Sequence, residues 1–236
     1  MKPLADYTLR PERIALALMA VAGALIVLHL LAMQAFFNPA LGLKERFGLE
    51  YWHVAILDLD AEESFGTWFS SGLLALAGSL LLVEVRARDD VWRRWWLVLA
   101  LGFFFLSLDE VAGLHEYVNT LMEDTPWTVL GAAVFTVVGI AYLPFLWHYR
   151  GRTALLFLVA AAIYGGGAVG VEHFTDSDVN SLHYNMWTTL EEGMEMTGVV
   201  VFIYALLDHL RGSADRAVRL TVGSQAQPTA AQKPQS

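Results

Sequence analysis

The sequence predicts an all-α polytopic membrane protein, a bundle of about six transmembrane helices with both termini on the cytoplasmic side. Three observations predict it. Hydrophobic residues make up 56% of the 236 and charged residues only 17%, against about 25% charged in an ordinary soluble domain. Six stretches reach the roughly 20 mostly apolar residues that a helix needs to cross a bilayer. Basic residues fall on alternate connections, and Lys and Arg resist translocation.

The spans follow in order. The first covers about 14–37; it is too long for a signal-peptide core and has no small-x-small cleavage site after it, so it reads as an uncleaved span. The second, about 64–85, opens with Thr67-Trp68-Phe69-Ser70-Ser71. The third, about 95–117, starts apolar and then admits Asp109, Glu110, His115 and Glu116. The fourth covers about 127–147. The fifth, about 153–174, is rich in Ala and Gly and ends in Glu172-His173. The sixth, about 186–210, starts with Glu191, Glu192 and Glu195 and finishes in an apolar run. Residues 38–63 form a long outer loop, with an amphipathic piece near 51–59 expected to lie on the membrane surface. The transmembrane domain is thus expected over 1–211, with 212–236 a polar, disordered cytoplasmic tail.

Lys2, Arg10 and Arg13 precede the first span. Arg86, Arg88, Arg93 and Arg94 lie between the second and third, and Arg150 and Arg152 between the fourth and fifth. Arg211, Arg216, Arg219 and Lys233 follow the sixth. These are 13 of the 15 basic residues, and their alternation sets the N-in, C-in orientation of a plasma-membrane (inner-membrane) protein. The net charge of −9 and pI near 5.2 exclude nucleic acid as a natural partner, since phosphate binding needs a basic surface. The absence of cysteine excludes disulfides, thiolate metal sites and a Cys nucleophile.

With that topology, 17 of the 24 acidic residues fall on the outward side. Asp109 and Glu110 lie about 15 residues past Arg94, roughly 22 Å along a helix at 1.5 Å per residue. Against a hydrocarbon core of about 30 Å, that is below the outer surface. Glu62, Glu63, Asp176 and Asp178 stand at loop edges, where facing water is the simpler reading. Asp109, Glu110 and Glu195 are flanked by apolar residues inside their spans. A carboxylate there costs several kcal/mol unless it is paired, protonated, hydrated or bound to a cation. Only Lys44 and Arg46 are basic on that side.

Helical spacing narrows the set. Asp109 and Glu116 are seven apart; Glu191 and Glu192 stand four and three residues before Glu195; each such pair shares a helix face. Glu110 and His115, five apart, align poorly unless Gly113 breaks the helix. Carboxylates with few imidazoles suit Mg, Ca, Mn or Fe, and two His plus acids also suit Zn. The expected ligands of such a divalent metal ion are Asp109, His115, Glu116, Glu172, His173, Glu191 and Glu195, with Glu110 and Glu192 as acid/base groups. The Glu-x-x-His spacing of di-iron bundles is absent. Ser70 and Ser71 read better as small polar residues packing helices than as nucleophiles. His29 reads as a helix-packing residue and His53 as a loop residue. Gly165, Gly166, Gly167 and Gly170 predict close helix packing, including a G-x-x-x-G pair at Gly166 and Gly170. Trp92, Trp95 and Trp96 beside Arg93 and Arg94 predict an interfacial anchor.

The strings Leu57-Asp58-Leu59-Asp60-Ala61-Glu62 through Ser71, Ser107-Leu108-Asp109-Glu110 with His115-Glu116, and Glu191-Glu192-x-x-Glu195-x-x-Gly198 resemble those of a family of uncharacterised bacterial multi-pass membrane proteins. That resemblance covers most of the chain and implies no activity. More loosely, a Ser, acids and His near one membrane face are similar to the alkaline ceramidase and adiponectin-receptor membrane hydrolases. Those have seven spans and a late His-x-x-x-His pair; this sequence has neither, so no residue is carried over from them.

Two functions are expected from the residues. One is a metal-dependent, hydrolase-like membrane enzyme acting on a lipid or amphiphile, in which the metal lowers the pKa of a bound water. The other is a proton- or cation-coupled transporter or channel, whose acids bind and release the coupling ion. A Ca²⁺-stabilised subunit without chemistry is a third. The echo of Ser107-Leu108-Asp109-Glu110 in Thr189-Leu190-Glu191-Glu192 does not mark an inverted repeat, because both strings lie toward the same face.

Overall fold

The computed structural model describes residues 10–122, 126–175, 179 and 181–212. The expected tail at 212–236 lies outside the described residues except for its first position, as do Lys2, Asp176 and Asp178. Among the described residues six helices are long and apolar enough to span a membrane. They are α1 (Pro11–Phe37), α3 (Phe65–Arg86), α4 (Arg93–Ala112), α6 (Trp127–His148), α7 (Arg152–Gly165, continued by a π-helical turn at Gly166–Val171) and α8 (Leu182–Gly212). Two short helices, α2 (Leu43–Phe47) and α5 (Leu114–Leu121), lie in the connections.

The sequence dictates several of these boundaries. Pro11 opens α1, where its missing N–H costs nothing. Ser64 caps α3 by accepting from the Thr67 N–H at 3.1 Å. Gly113, in the left-handed region at φ 53°, ends α4 and starts α5. The third span is therefore shorter than expected, and Asp109 and Glu116 do not share a continuous helix face. The last helix begins at Leu182, nine residues before Glu191, so the three glutamates sit well inside it rather than at its start.

Helix α8 is the hub, packing on α7, α1 and α3, and α3 pairs closely with α4. The core joins Leu74, Ala77 and Leu81 of α3, Trp96 and Ala100 of α4, Phe157 and Ala160 of α7, and Met196, Val199, Ile203 and Leu206 of α8. Large apolar side chains such as Leu101, Val137, Ile140 and Leu155 face outward, as a bilayer rather than water requires.

Small residues set the closest approaches. A Cβ on Gly198 would lie 2.7 Å from the Tyr164 backbone nitrogen, and one on Gly167 2.8 Å from the Glu191 carbonyl, so α7 and α8 touch through glycine. Glycine packing of span five is thus present, but not as the expected Gly166 and Gly170 pair, because nothing stands within 4 Å of a Cβ on Gly170.

One end of the bundle holds a buried ion-pair node. Glu84 is fully buried and pairs with Arg88, and His209 stands 3.4 Å from the same carboxylate. Trp96 lies beneath, donating to the Tyr149 hydroxyl at 3.1 Å. Trp96 is therefore a core residue rather than an interfacial anchor: its indole packs between Tyr149, Phe145, Phe157 and His209. Arg152 with Asp208, and Arg211 with Glu12, bring the starts of α1 and α7 and the end of α8 to the same end. At the opposite end the 38–63 connection folds into α2 and three 3₁₀ turns, Pro39–Leu41, Tyr51–His53 and Ala55–Leu57. Over 51–59 it forms two 3₁₀ turns rather than one regular helix, with Val54, Asp58 and Leu59 buried against the bundle and Tyr51, Trp52 and Ile56 exposed.

Candidate functional site

The acid-bearing end is built in two tiers, and Asp109 governs the shallower one. Its Oδ1 accepts the His115 backbone N–H at 3.0 Å and its Oδ2 accepts His115 Nδ1–H at 3.1 Å. The left-handed Gly113 turns the chain back so that a carboxylate at the end of α4 meets an imidazole at the start of α5. No regular helix allows that pairing across six residues. Substituting any side chain at Gly113 would drive a Cβ into the Glu62 carboxylate, with Glu116 Oε2 3.7 Å from the same point.

His115 leans on Trp127, ring centroids 5.0 Å apart, and the Trp127 indole donates to Glu172. The charges of Glu172 and Glu116 act on His115, and those of Asp60 and Glu172 act on Glu191. Burial lowers the His115 affinity for a proton, but the hydrogen bond to Asp109 and its charge outweigh burial, so the imidazole titrates above its ordinary range. Burial pushes Glu172 up to about 7 despite the Trp127 hydrogen bond. Asp60 accepts from the Tyr184 hydroxyl at 2.9 Å, so the 38–63 connection closes over the start of α8. His29, fully buried, holds it there: Nδ1 accepts the Leu59 N–H at 3.0 Å and Nε2 donates to the Asn185 carbonyl at 3.4 Å. His29 is a packing residue, as expected, and His53 lies in the exposed loop.

The deeper tier draws on four helices. Glu195 is buried, and the charges of Glu110 and Glu191 act on it; Glu195 and Glu110 act in turn on Glu192. The Tyr164 hydroxyl of α7 reaches Glu195, and the Ser70 hydroxyl of α3 reaches toward Glu110. The Ser70 hydroxyl makes no hydrogen bond within 3.5 Å, although the residue is only 1% exposed; Thr188, also 1% exposed, likewise has an unpartnered Oγ1. Ser71 behaves as the packing residue expected, exchanging hydrogen bonds with Ser107 at 2.9 and 3.0 Å. No Lys or Arg is among the charges that act most on Glu110, Glu191, Glu192 or Glu195. Lys44 and Arg46 instead stand over Phe36 and Phe47.

The expected residues therefore divide. Glu110, Glu192 and Glu195 come within electrostatic reach of one another; His115, Glu116, Glu172 and Glu191 stand above them, with Asp109 engaged by His115. His173 is set apart, exposed and hydrogen-bonded to Thr128 at 3.0 Å. Among the described residues no three His, Asp or Glu side chains are disposed to hold one metal ion. Sequence reasoning missed Tyr164, Thr188, Asp60 and Trp127. Thr188 had a legible signal, four residues before Glu192 on the same helix face.

A family profile described as Domain of unknown function (DUF8692) matches residues 15–210. The chain belongs to that family. The match runs through all six spans and both tiers of acids, so the two-tier arrangement lies inside the DUF8692 domain. No curated protein and no solved structure matches the chain.

Proposed function

We propose that this DUF8692 chain is a proton- or cation-coupled membrane transporter or channel. Its carboxylates open to the extracytoplasmic side and bind and release the coupling ion. The single observation that carries the reading is the company of Glu110, Glu192 and Glu195. They lie within electrostatic reach of one another and of the Ser70 and Tyr164 hydroxyls, inside spans, with no Lys or Arg among their strongest charge partners and only His115, acting on Glu110, as a basic neighbour. Like charges in a low-dielectric setting cannot all ionise unless a cation joins them. Such a group exchanges positive charge with its surroundings. The shallower tier, where Glu172 is pushed up to about 7 and His115 titrates above its ordinary range, suits the delivery of that charge.

Reconstitution into liposomes carrying a pH-sensitive dye tests this. An imposed proton or cation gradient gives protein-dependent flux, and Glu195→Gln and Glu110→Gln lower it at least about tenfold, the loss of a group needed at every cycle. Protein-dependent flux unchanged in both variants, or no flux under any gradient, sinks the reading.

A membrane enzyme acting on a lipid or amphiphile is the second reading. The Asp109–His115 pair favours it: the carboxylate fixes Nδ1–H and leaves Nε2 as the proton-accepting atom, the arrangement of a general base. The divalent-metal form of this reading needs its ligands to gather from their present positions. Metal content of wild type beside Asp109→Ala and Glu195→Ala decides that, because one shared site requires both variants to lose the same ion.

A further inference from the structure

We infer that the deeper tier is a binding site for an alkali cation of the sodium class, completed by the hydroxyls of Ser70 and Thr188. This deepens the ion-coupled reading and rests on it.

The two hydroxyls carry the argument. Ser70 and Thr188 are each 1% exposed, and neither oxygen has a hydrogen-bond partner among the described residues. Leaving a buried hydroxyl unsatisfied costs about 1–3 kcal/mol, and native proteins rarely tolerate it without a bound species to meet it. Ser70 lies beside a carboxylate, and Thr188 beside the Tyr184 hydroxyl. Ser70 reaches toward Glu110 across the α3–α4 contact. Thr188 sits four residues before Glu192 and seven before Glu195, on one face of α8. A protonated Glu110 can donate to Ser70 alone, whereas a cation engages both hydroxyl oxygens.

The donor set selects the cation. Every candidate ligand is oxygen, which suits hard ions and excludes a thiolate- or imidazole-seeking metal. Among the described residues no trio of His, Asp or Glu side chains is disposed to hold one metal ion, which disfavours a divalent ion. One or two carboxylates with neutral hydroxyl oxygens match a single positive charge. Tyr184, Thr188 and Glu192 recur every four residues along α8, and Tyr184 is tied to Asp60 at the shallow tier. That stripe gives the ion a polar path down one helix face to Glu195. The π-helical turn at Gly166–Val171 lies against the same stretch, a Cβ on Gly167 standing 3.2 Å from Glu195 Cγ. Such turns are frequent at functional sites.

The test is the thermal unfolding midpoint of the purified protein in detergent at one pH, titrated with NaCl while choline chloride holds ionic strength constant. Sodium raises the wild-type midpoint saturably, by the linkage expected of a ligand that binds only the folded state. Ser70→Ala and Thr188→Val move half-saturation up by about tenfold or more. Thr188→Ser, which keeps the oxygen, and Ser71→Ala, whose hydroxyl is engaged with Ser107, respond as wild type does. A wild-type midpoint identical in NaCl and choline chloride overturns the inference, as does an unchanged half-saturation in both Ser70→Ala and Thr188→Val. If sodium has no effect but Glu195→Gln still abolishes proton flux in liposomes, the ion-coupled reading stands and the sodium site alone falls.

Discussion

Glu172 is half-buried at the end of the π-helical turn, and burial raises it to about 7 from an ordinary 4.5. A carboxyl that holds its proton more tightly when folded adds stability fully present below its unfolded value and lost as pH rises through its folded value. The unfolding midpoint should therefore fall between about pH 4.5 and about pH 7, and Glu172→Gln should flatten that part of the profile. A wild-type profile that rises over the same window, or a variant profile of unchanged slope, contradicts the assignment. At this scale the sequence was only partly legible. Acids at membrane depth announced themselves by their apolar neighbours, and Glu110, Glu192 and Glu195 were readable for that reason. The engagement of Asp109 by His115 was hidden, because it depends on the left-handed conformation of Gly113, and glycine adopts either hand. Ser70 read as packing because a buried hydroxyl's missing partner is a property of three dimensions.

Helix boundaries were readable where hydropathy changed abruptly and unreadable where polar residues continued a helix. The span from 182 carries His183, Tyr184 and Asn185 before its acids, so hydropathy places its start too late, whereas backbone hydrogen bonding carries it on as α8. The third span failed the opposite way: its polarity hid a break at Gly113 that the hydropathy window ran across. Among the glycines, composition indicated close packing but could not say which one makes the contact. Gly198 of α8 meets the Tyr164 backbone, which cannot yield, and Gly170 meets nothing. Gly198→Ala should lower stability by about 1–3 kcal/mol through overpacking, and should disturb Tyr164 where it reaches Glu195. Gly170→Ala should cost nothing or stabilise slightly, by up to about 1 kcal/mol of helix propensity. Thermal unfolding of the two variants side by side checks this, and equal midpoints would count against the α7–α8 contact.

Across the whole molecule, charge is sorted to the two ends. At one end the buried Glu84 is answered by Arg88 and His209, and Arg152 and Arg211 bind α1, α7 and α8 together. At the other end Glu110, Glu192 and Glu195 have no Lys or Arg among the charges that act most on them. Between them the apolar side chains of Leu81, Val199, Phe202 and Ile203 fill the core. This sorting was legible in the sequence as the alternation of basic residues with apolar spans; the pairing of Glu84 was not, because its partners come from a loop and from a helix more than a hundred residues away. The asymmetry is the reason for assigning ion binding to the acid-bearing end. It requires that α4 and α8 present their glutamates to one shared pocket. Because the chain contains no cysteine, Glu110→Cys with Glu195→Cys can be joined by a short bifunctional thiol reagent without background. Rapid cross-linking between the two positions is expected in the folded protein in lipid. Failure to cross-link, with each single cysteine labelled separately and freely, would show these carboxylates facing apart and would contradict the shared pocket.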